Sequence, residues 1–156
     1  MQCLRYVILR HLMPGFPHID LMIEDPHAAG SPSSMDPDAR VLKTWRLAYE
    51  PSHWSNRPMM LTPLPDHRRA YLRRTGPIAT GKGSVQQLGQ GSVLAYLWTT
   101  TRILLEPVAQ SHGSQWELRR LPASDPPTTS NREGGTGRHM RGRGGGGGGW
   151  QMRVIS

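Results

Sequence analysis

PHIDLMIED, residues 17–25, alternates without a break: Ile19, Leu21 and Ile23 interleave with His18, Asp20, Met22 and Glu24. Side chains of an extended chain point to opposite faces with period two. One face of this segment is therefore aliphatic, and the other carries an imidazole, a carboxylate, a thioether and a second carboxylate. Such a pattern predicts a half-buried β-strand over 18–24. It also sets His18 and Asp20 about 6.6 Å apart at Cα on one face.

The same texture extends over most of the chain. RYVILRH (5–11), VLKTWRLAY (41–49), MMLTPL (59–64), RRAYLRR (68–74), SVQQL (84–88), SVLAYLWTTTRILLEPV (92–108) and SQWELRRL (114–121) read as strands, the 92–108 run as two. Pro63 points to an edge or a bend in 59–64. Turn signals separate these segments: Pro14-Gly15, Gly30 to Pro37, Gly76-Pro77, Gly81 to Gly83, Gly89 to Gly91 and His112-Gly113. Residues 25–40, with three prolines, read as a surface loop. No segment carries a helical stripe. Roughly eight short strands predict an all-β fold, a small antiparallel barrel or sandwich.

Residues 122–156 differ in composition. They include six consecutive glycines, Gly144 to Gly149, and five arginines against two acids. Little apolar periodicity is present to offset ordering entropy. The expectation is one domain over 1–121 and a disordered Gly/Arg-rich tail over 122–156. RHMRGRGGGGGGW within that tail has the character either of a loose nucleic-acid-binding segment or of a functionless extension.

The 156 residues carry a formal charge of +8, from 19 Lys and Arg against 11 Asp and Glu. Arginine accounts for nearly all of the cations, since Lys43 and Lys82 are the only lysines. A basic, arginine-dominated chain favours a polyanionic partner, nucleic acid first. The single cysteine, Cys3, excludes a disulfide framework and a cysteine zinc site. The apolar run in residues 1–15 is interrupted by Arg5, Arg10 and His11, too short and too charged for a leader or a span. The expectation is a cytoplasmic protein, nucleoid-associated, with no membrane partner.

His18 and Asp20 have the reach to converge on one cation with bonds of about 2.0–2.2 Å. If 5–11 pairs antiparallel with 18–24, His11 falls across from His18, about 4.8 Å away on the neighbouring strand. Two histidines and one carboxylate suit manganese, iron or zinc rather than calcium. The alternative is a hydrogen-bonded surface pair of His18 and Asp20 with no ion. In PDHRRAYL (65–72) an extended chain puts His67, Arg69 and Tyr71 on one face. These groups make either a phosphate cradle with a proton donor or a solvated strand with one buried ring.

Taken together, His11, HIDLMIE (18–24), LKTW (42–45), PS (51–52), DHRRAY (66–71) and the late GSQWELRRL (113–121) resemble the 3′-phosphoesterase domain of bacterial DNA ligase D. The family's pattern is a His, then His-x-Asp-x-x-x-Glu, Leu-Lys-Ser-Trp and Asp-His-x-x-x-Tyr, with a tryptophan-bearing strand near the end. The resemblance covers about 5–121. It implies a small β-barrel that binds manganese (Mn2+) and removes a ribonucleoside, then the phosphate, from DNA 3′ ends during end-joining repair. Carried over by position, His11, His18 and Asp20 hold the metal, and His67 and Tyr71 contact the scissile phosphate. His67 is the proton-transfer candidate. Arg69 and Lys82 are candidate phosphate or DNA contacts. The implied partners are DNA 3′ ends, RNA-containing ones included, and a separate ligase or polymerase.

Several positions depart from that pattern. Met22 stands where the family has an arginine, and Tyr49 where it has a lysine. The arginine before Asp-His has no aligned counterpart, Arg57 lying two positions early. Only ten residues precede His11, and its spacing to His18 is one residue longer than in the family. A noncatalytic module of the same fold that binds DNA ends or a repair partner is the main rival, and a metal-binding β-domain of unrelated function is a third. GPIATGKGS (76–84) nearly spells a phosphate-binding P-loop, but Gly83 takes the Ser/Thr position and no helix pattern follows, so it reads as a glycine-rich β-loop. Lys43 lies outside any ligase nucleotidyl-transfer motif. Trp45, Trp98 and Trp116 read as core or barrel-lining residues.

Overall fold

The computed structural model describes residues 1–78, 81–109, 113–123 and 149–156. Nine strands run in chain order: β1 (Gln2–Leu12), β2 (His18–Glu24), β3 (Arg40–Leu47), β4 (Met59–Arg68), β5 (Gly76–Pro77), β6 (Ser84–Trp98), β7 (Arg102–Pro107), β8 (Gln115–Arg120) and β9 (Trp150–Ile155). Every pairing is antiparallel. The order β1-β2-β3-β4-β9-β8-β7-β6 closes because β6 returns to β1, from Gln2 opposite Ala95 to Leu12 opposite Ser84. The result is a closed eight-stranded barrel, with the two-residue β5 added beside the start of β6. Closure pairs each strand of the ring on both sides over at least part of its length, which reduces the free edge that is the main hazard of an antiparallel sheet.

Alternation puts Leu4 and Ile8 of β1, Leu21 and Ile23 of β2, and Trp45 and Leu47 of β3 inside the barrel with Val93, Leu105, Trp116, Leu118 and Met152. A second apolar cluster lies on the outer wall, where Val7, Leu9, Met22, Leu42 and Val85 are covered by Leu72. Strands β1 to β3 are thus buried on both faces in this region. Burying a leucine contributes about 1.5–3 kcal/mol, which helps to hold the segment carrying Leu72 against the wall.

That segment differs from expectation. The extended strand read over 68–74 is instead a 3₁₀ turn, Arg69–Arg73, that follows directly from β4. Arg69 N donates to Ala39 O at 2.9 Å and Ala70 N to Pro37 O at 2.9 Å. These bonds to the preceding loop draw the chain out of the sheet, and Leu72 is gained as a plug. The loop over 25–40 is as expected, with a short 3₁₀ turn at Pro32–Met35. In β4 the pairing to β9 covers only Met59 to Leu61, so Pro63 and Pro65 fall where that side of the strand has no partner.

The barrel also does not end at residue 121. Trp150–Ile155, placed in the tail by composition, is a full strand between β8 and β4. Met152 on it is almost fully buried. On β8 the buried Glu117 accepts from Arg102 Nε at 2.8 Å on one side and from Arg153 Nε at 2.9 Å on the other. Burial opposes ionisation of Glu117, but the two guanidiniums outweigh it and hold its carboxyl below the usual range. Glu117 thereby ties β7, β8 and β9 together. The tail reading of 124–148 lies outside the described residues. Among the described residues no helix is long and apolar enough to cross a membrane.

Candidate metal centre

His11 and His18 are direct cross-strand partners of β1 and β2, beside the turn that joins the two strands. Both, like Asp20, lie on the outer row of the barrel wall. His11 Nδ1 is 3.0 Å from His18 Nε2, and His18 Nε2 is 3.4 Å from Asp20 Oδ2. One donor atom from each of the three residues falls within 4.8 Å of the other two. Two donors on a common ion at tetrahedral or octahedral angles are separated by about 3.0–3.4 Å, given bonds of about 2.1 Å. The two distances to His18 Nε2 match that requirement.

The surroundings orient these donors. Phe16 O, an acceptor only, lies 3.1 Å from His18 Nδ1, so Nδ1 carries the hydrogen and a neutral ring presents bare Nε2 to the cluster. Asp20 is 2% exposed. Its Oδ1 accepts from Arg46 Nε at 3.3 Å, which leaves Oδ2 facing the histidines. His11 Nε2 is buried and has no hydrogen-bond partner among the described residues. Burial pushes the His11 pKa down, and the proximity of His18, His67 and Arg46 adds to this against the opposing pull of Asp20. A neutral, deprotonated histidine is the form that ligates a cation.

This depression has a consequence for stability. A histidine whose folded pKa lies below its unfolded value of 6.5 leaves stability intact above that pH. As pH falls from there toward the folded value, the unfolded chain binds the extra proton and stability declines. Chelator-treated protein should therefore melt progressively lower between about pH 7 and pH 5, and His11→Asn should flatten that slope. Equal slopes for the two proteins in thermal denaturation would refute the assignment to His11.

His67 stands near enough for its charge to act on His11. Its Nδ1 donates to Pro65 O at 2.8 Å, so Nε2 is the nitrogen left to act as an acceptor, and its ring meets Tyr71 edge-on at 5.2 Å between centroids. The Arg74 guanidinium lies 5.0 Å from the centre of the other ring of this pair, Tyr71. His67 and Tyr71 line a cavity of about 450 Å³ together with Arg40, Arg68, Arg74 and Lys82. Four cations against one carboxylate, Asp38, make this hollow strongly basic.

Lys82 owes its position to a close backbone approach. Gly83 has φ +80°, and a Cβ there would stand 2.1 Å from the carbonyl oxygen of Leu12. The 81–83 loop is thus seated directly on the end of β1. Gly83→Ala should destabilise by about 1–3 kcal/mol and shift Lys82. An unchanged melting temperature would show that the loop is not anchored this way.

Sequence reasoning set His11, His18 and Asp20 beside His67 and Tyr71; in the structure the first three converge, His67 lies near them, and His67 lines one cavity with Tyr71 and Lys82. Arg69 is the exception. It does not share the His67 face, because the alternation stops at the 3₁₀ turn, and its Nη2 lies 2.8 Å from Glu24 Oε1. Arg5 Nε binds the same carboxylate oxygen at 3.2 Å, so Glu24 and Arg69 serve to dock the turn. Met22 is fully buried under that turn, and Tyr49 lines a separate cavity with Arg57. Lys43 binds Asp66 at 3.0 Å and Asp25 at 3.6 Å; burial works to lower its pKa, and the two carboxylates more than reverse this. The sequence reading overlooked Arg46, Arg40, Arg68 and Arg74. Arg46 could have been found by extending the alternation of β3 once its register with β2 was known, since it lies opposite Asp20.

Fold and site together define a small closed β-barrel with a two-histidine, one-carboxylate cluster on its outer wall, beside a basic hollow. Comparison of the chain with protein-family models and with curated proteins returns no match.

Proposed function

We propose that this chain is a manganese-dependent phosphoesterase that processes DNA 3′ ends, RNA-containing ones included, in end-joining repair. The observation that carries this is the convergence of His11, His18 and Asp20 donor atoms beside His67, at the side of a cavity lined by four cations. The resemblance to the phosphoesterase domain of DNA ligase D adds the substrate class. His11, His18 and Asp20 would hold the ion, which when bound supplies Lewis-acid polarisation of a phosphoryl oxygen.

The chain's own residues account for the remaining functions. Arg40, Arg68, Arg74 and Lys82 attract and seat phosphate oxygens, the arginines through forked donors. Tyr71 orients the His67 ring by its edge contact. His67, held by Pro65 O at Nδ1, keeps Nε2 available to pass a proton to a leaving oxygen. Arg46 holds Asp20 in place through Oδ1. A separate ligase or polymerase would use the trimmed end.

The test is release of inorganic phosphate from a primer ending in a 3′-phosphate, with manganese, magnesium and zinc compared in parallel. Release with manganese, lost on adding EDTA and in His18→Ala, is the expected result. Release that survives both would overturn the proposal. One observation favours the noncatalytic alternative: Met22, at the family's arginine position, is fully buried in the outer apolar cluster and offers no charge to a phosphate. End binding without turnover in the same assay would select that alternative.

A further inference from the structure

Three indoles meet at one mouth of the barrel, away from the histidine cluster. Trp45 comes from β3, Trp98 ends β6 and Trp150 begins β9. The Trp45 ring lies 6.3 Å from Trp98 and 5.9 Å from Trp150 between centroids, tilted by 58° and 60°. They line a cavity of about 470 Å³ with Lys43, Asp25 and Thr100 at its rim. Trp45 is nearly buried, while Trp98 and Trp150 remain partly open. The hollow opens to solvent, so aromatic planes of these rings are presented to a guest.

Asp66 connects this hollow to the basic one. Its carboxylate takes Lys43 Nζ at 3.0 Å on the tryptophan side, and its carbonyl oxygen takes Arg40 Nη1 at 3.1 Å. Arg40 lines the basic cavity, as does His67, the next residue along β4. The two cavities are therefore neighbours across one residue.

We propose that the tryptophan cavity takes an unpaired base of a single-stranded nucleic acid whose phosphates lie on the adjoining cations. This rests on the reading of the basic hollow as a nucleic-acid phosphate site. Every base has a π-face, so aromatic walls receive it without regard to sequence. Thr100 and Asp25 offer polar groups to a base edge.

Intrinsic tryptophan fluorescence of the full chain, titrated in EDTA with a single-stranded deoxyadenylate hexamer, tests this without the metal. Saturable quenching is expected. Trp98→Ala should weaken the hexamer roughly tenfold and Trp98→Phe much less. Thr100→Glu, on an exposed turn, should also weaken it and serves if Trp98→Ala melts early. Wild-type affinity in both Trp98→Ala and Thr100→Glu would overturn the proposal, as would absence of hexamer binding. Quenching by trimethyllysine in place of the hexamer would overturn it in favour of a cation site. Should phosphate release fail while quenching that depends on Trp98 persists, the proposed phosphoesterase activity falls and the base site stands.

Discussion

Asp20→Asn should cost this chain its divalent-metal affinity by about 100-fold or more, since loss even of a supporting contact around a metal commonly costs 10–100-fold. The substitution keeps the shape of a side chain that is 2% exposed and keeps an acceptor for Arg46. It removes the negative charge and offers a weaker oxygen at the Oδ2 position, 3.4 Å from His18 Nε2. The readout is the rise in melting temperature on adding manganese. A ligand at 100 times its dissociation constant stabilises the folded state by about 2.7 kcal/mol. That rise should be present in wild type and nearly absent in the variant, while the melting temperatures in EDTA remain close. An equal manganese-induced rise in both proteins would show that Asp20 is no ligand.

A chain ending at Gly149 should fail to fold. Removing Trp150–Ile155 takes a strand from between β8 and β4 and opens a closed barrel along two edges. Met152, buried in the main core, leaves with it, and truncating such a residue to alanine alone costs about 2–5 kcal/mol. Glu117 also loses Arg153, and the remaining pair with Arg102 is half of the compensation for its buried charge. The sum exceeds much of the 5–15 kcal/mol that typically stabilises a domain. Circular dichroism and size-exclusion chromatography should show an unfolded or aggregated product. The 1–121 fragment should behave likewise. A cooperative melt of the shortened chain at the wild-type temperature would mean that β9 is dispensable. Met152→Ala gives a milder form of the same test, with an expected loss of about 2–5 kcal/mol.

The amino-acid sequence by itself determined the class of fold and the heart of the candidate site, because both rest on period-two alternation. His18, Asp20 and the aliphatic row of β2 could be assigned to opposite faces from their spacing alone. A short turn between two β-rich runs then put His11 across from His18. Three features were decided only in the tertiary structure. Trp150 to Ile155 lies beyond a glycine run, so its composition pointed to a tail; long-range pairing to β8 and the Glu117–Arg153 ion pair make it a strand. Arg69 was placed on the His67 face by an alternation that holds only in extended chain, and bonds to Pro37 and Ala39 turned that chain into a 3₁₀ coil. The charge of the hollow beside His67 is set by Arg40, Arg68, Arg74 and Lys82, which come from three separate parts of the chain. Local periodicity fixes which face a side chain takes. Which faces meet is fixed by barrel closure, and that is a property of contacts distant in sequence.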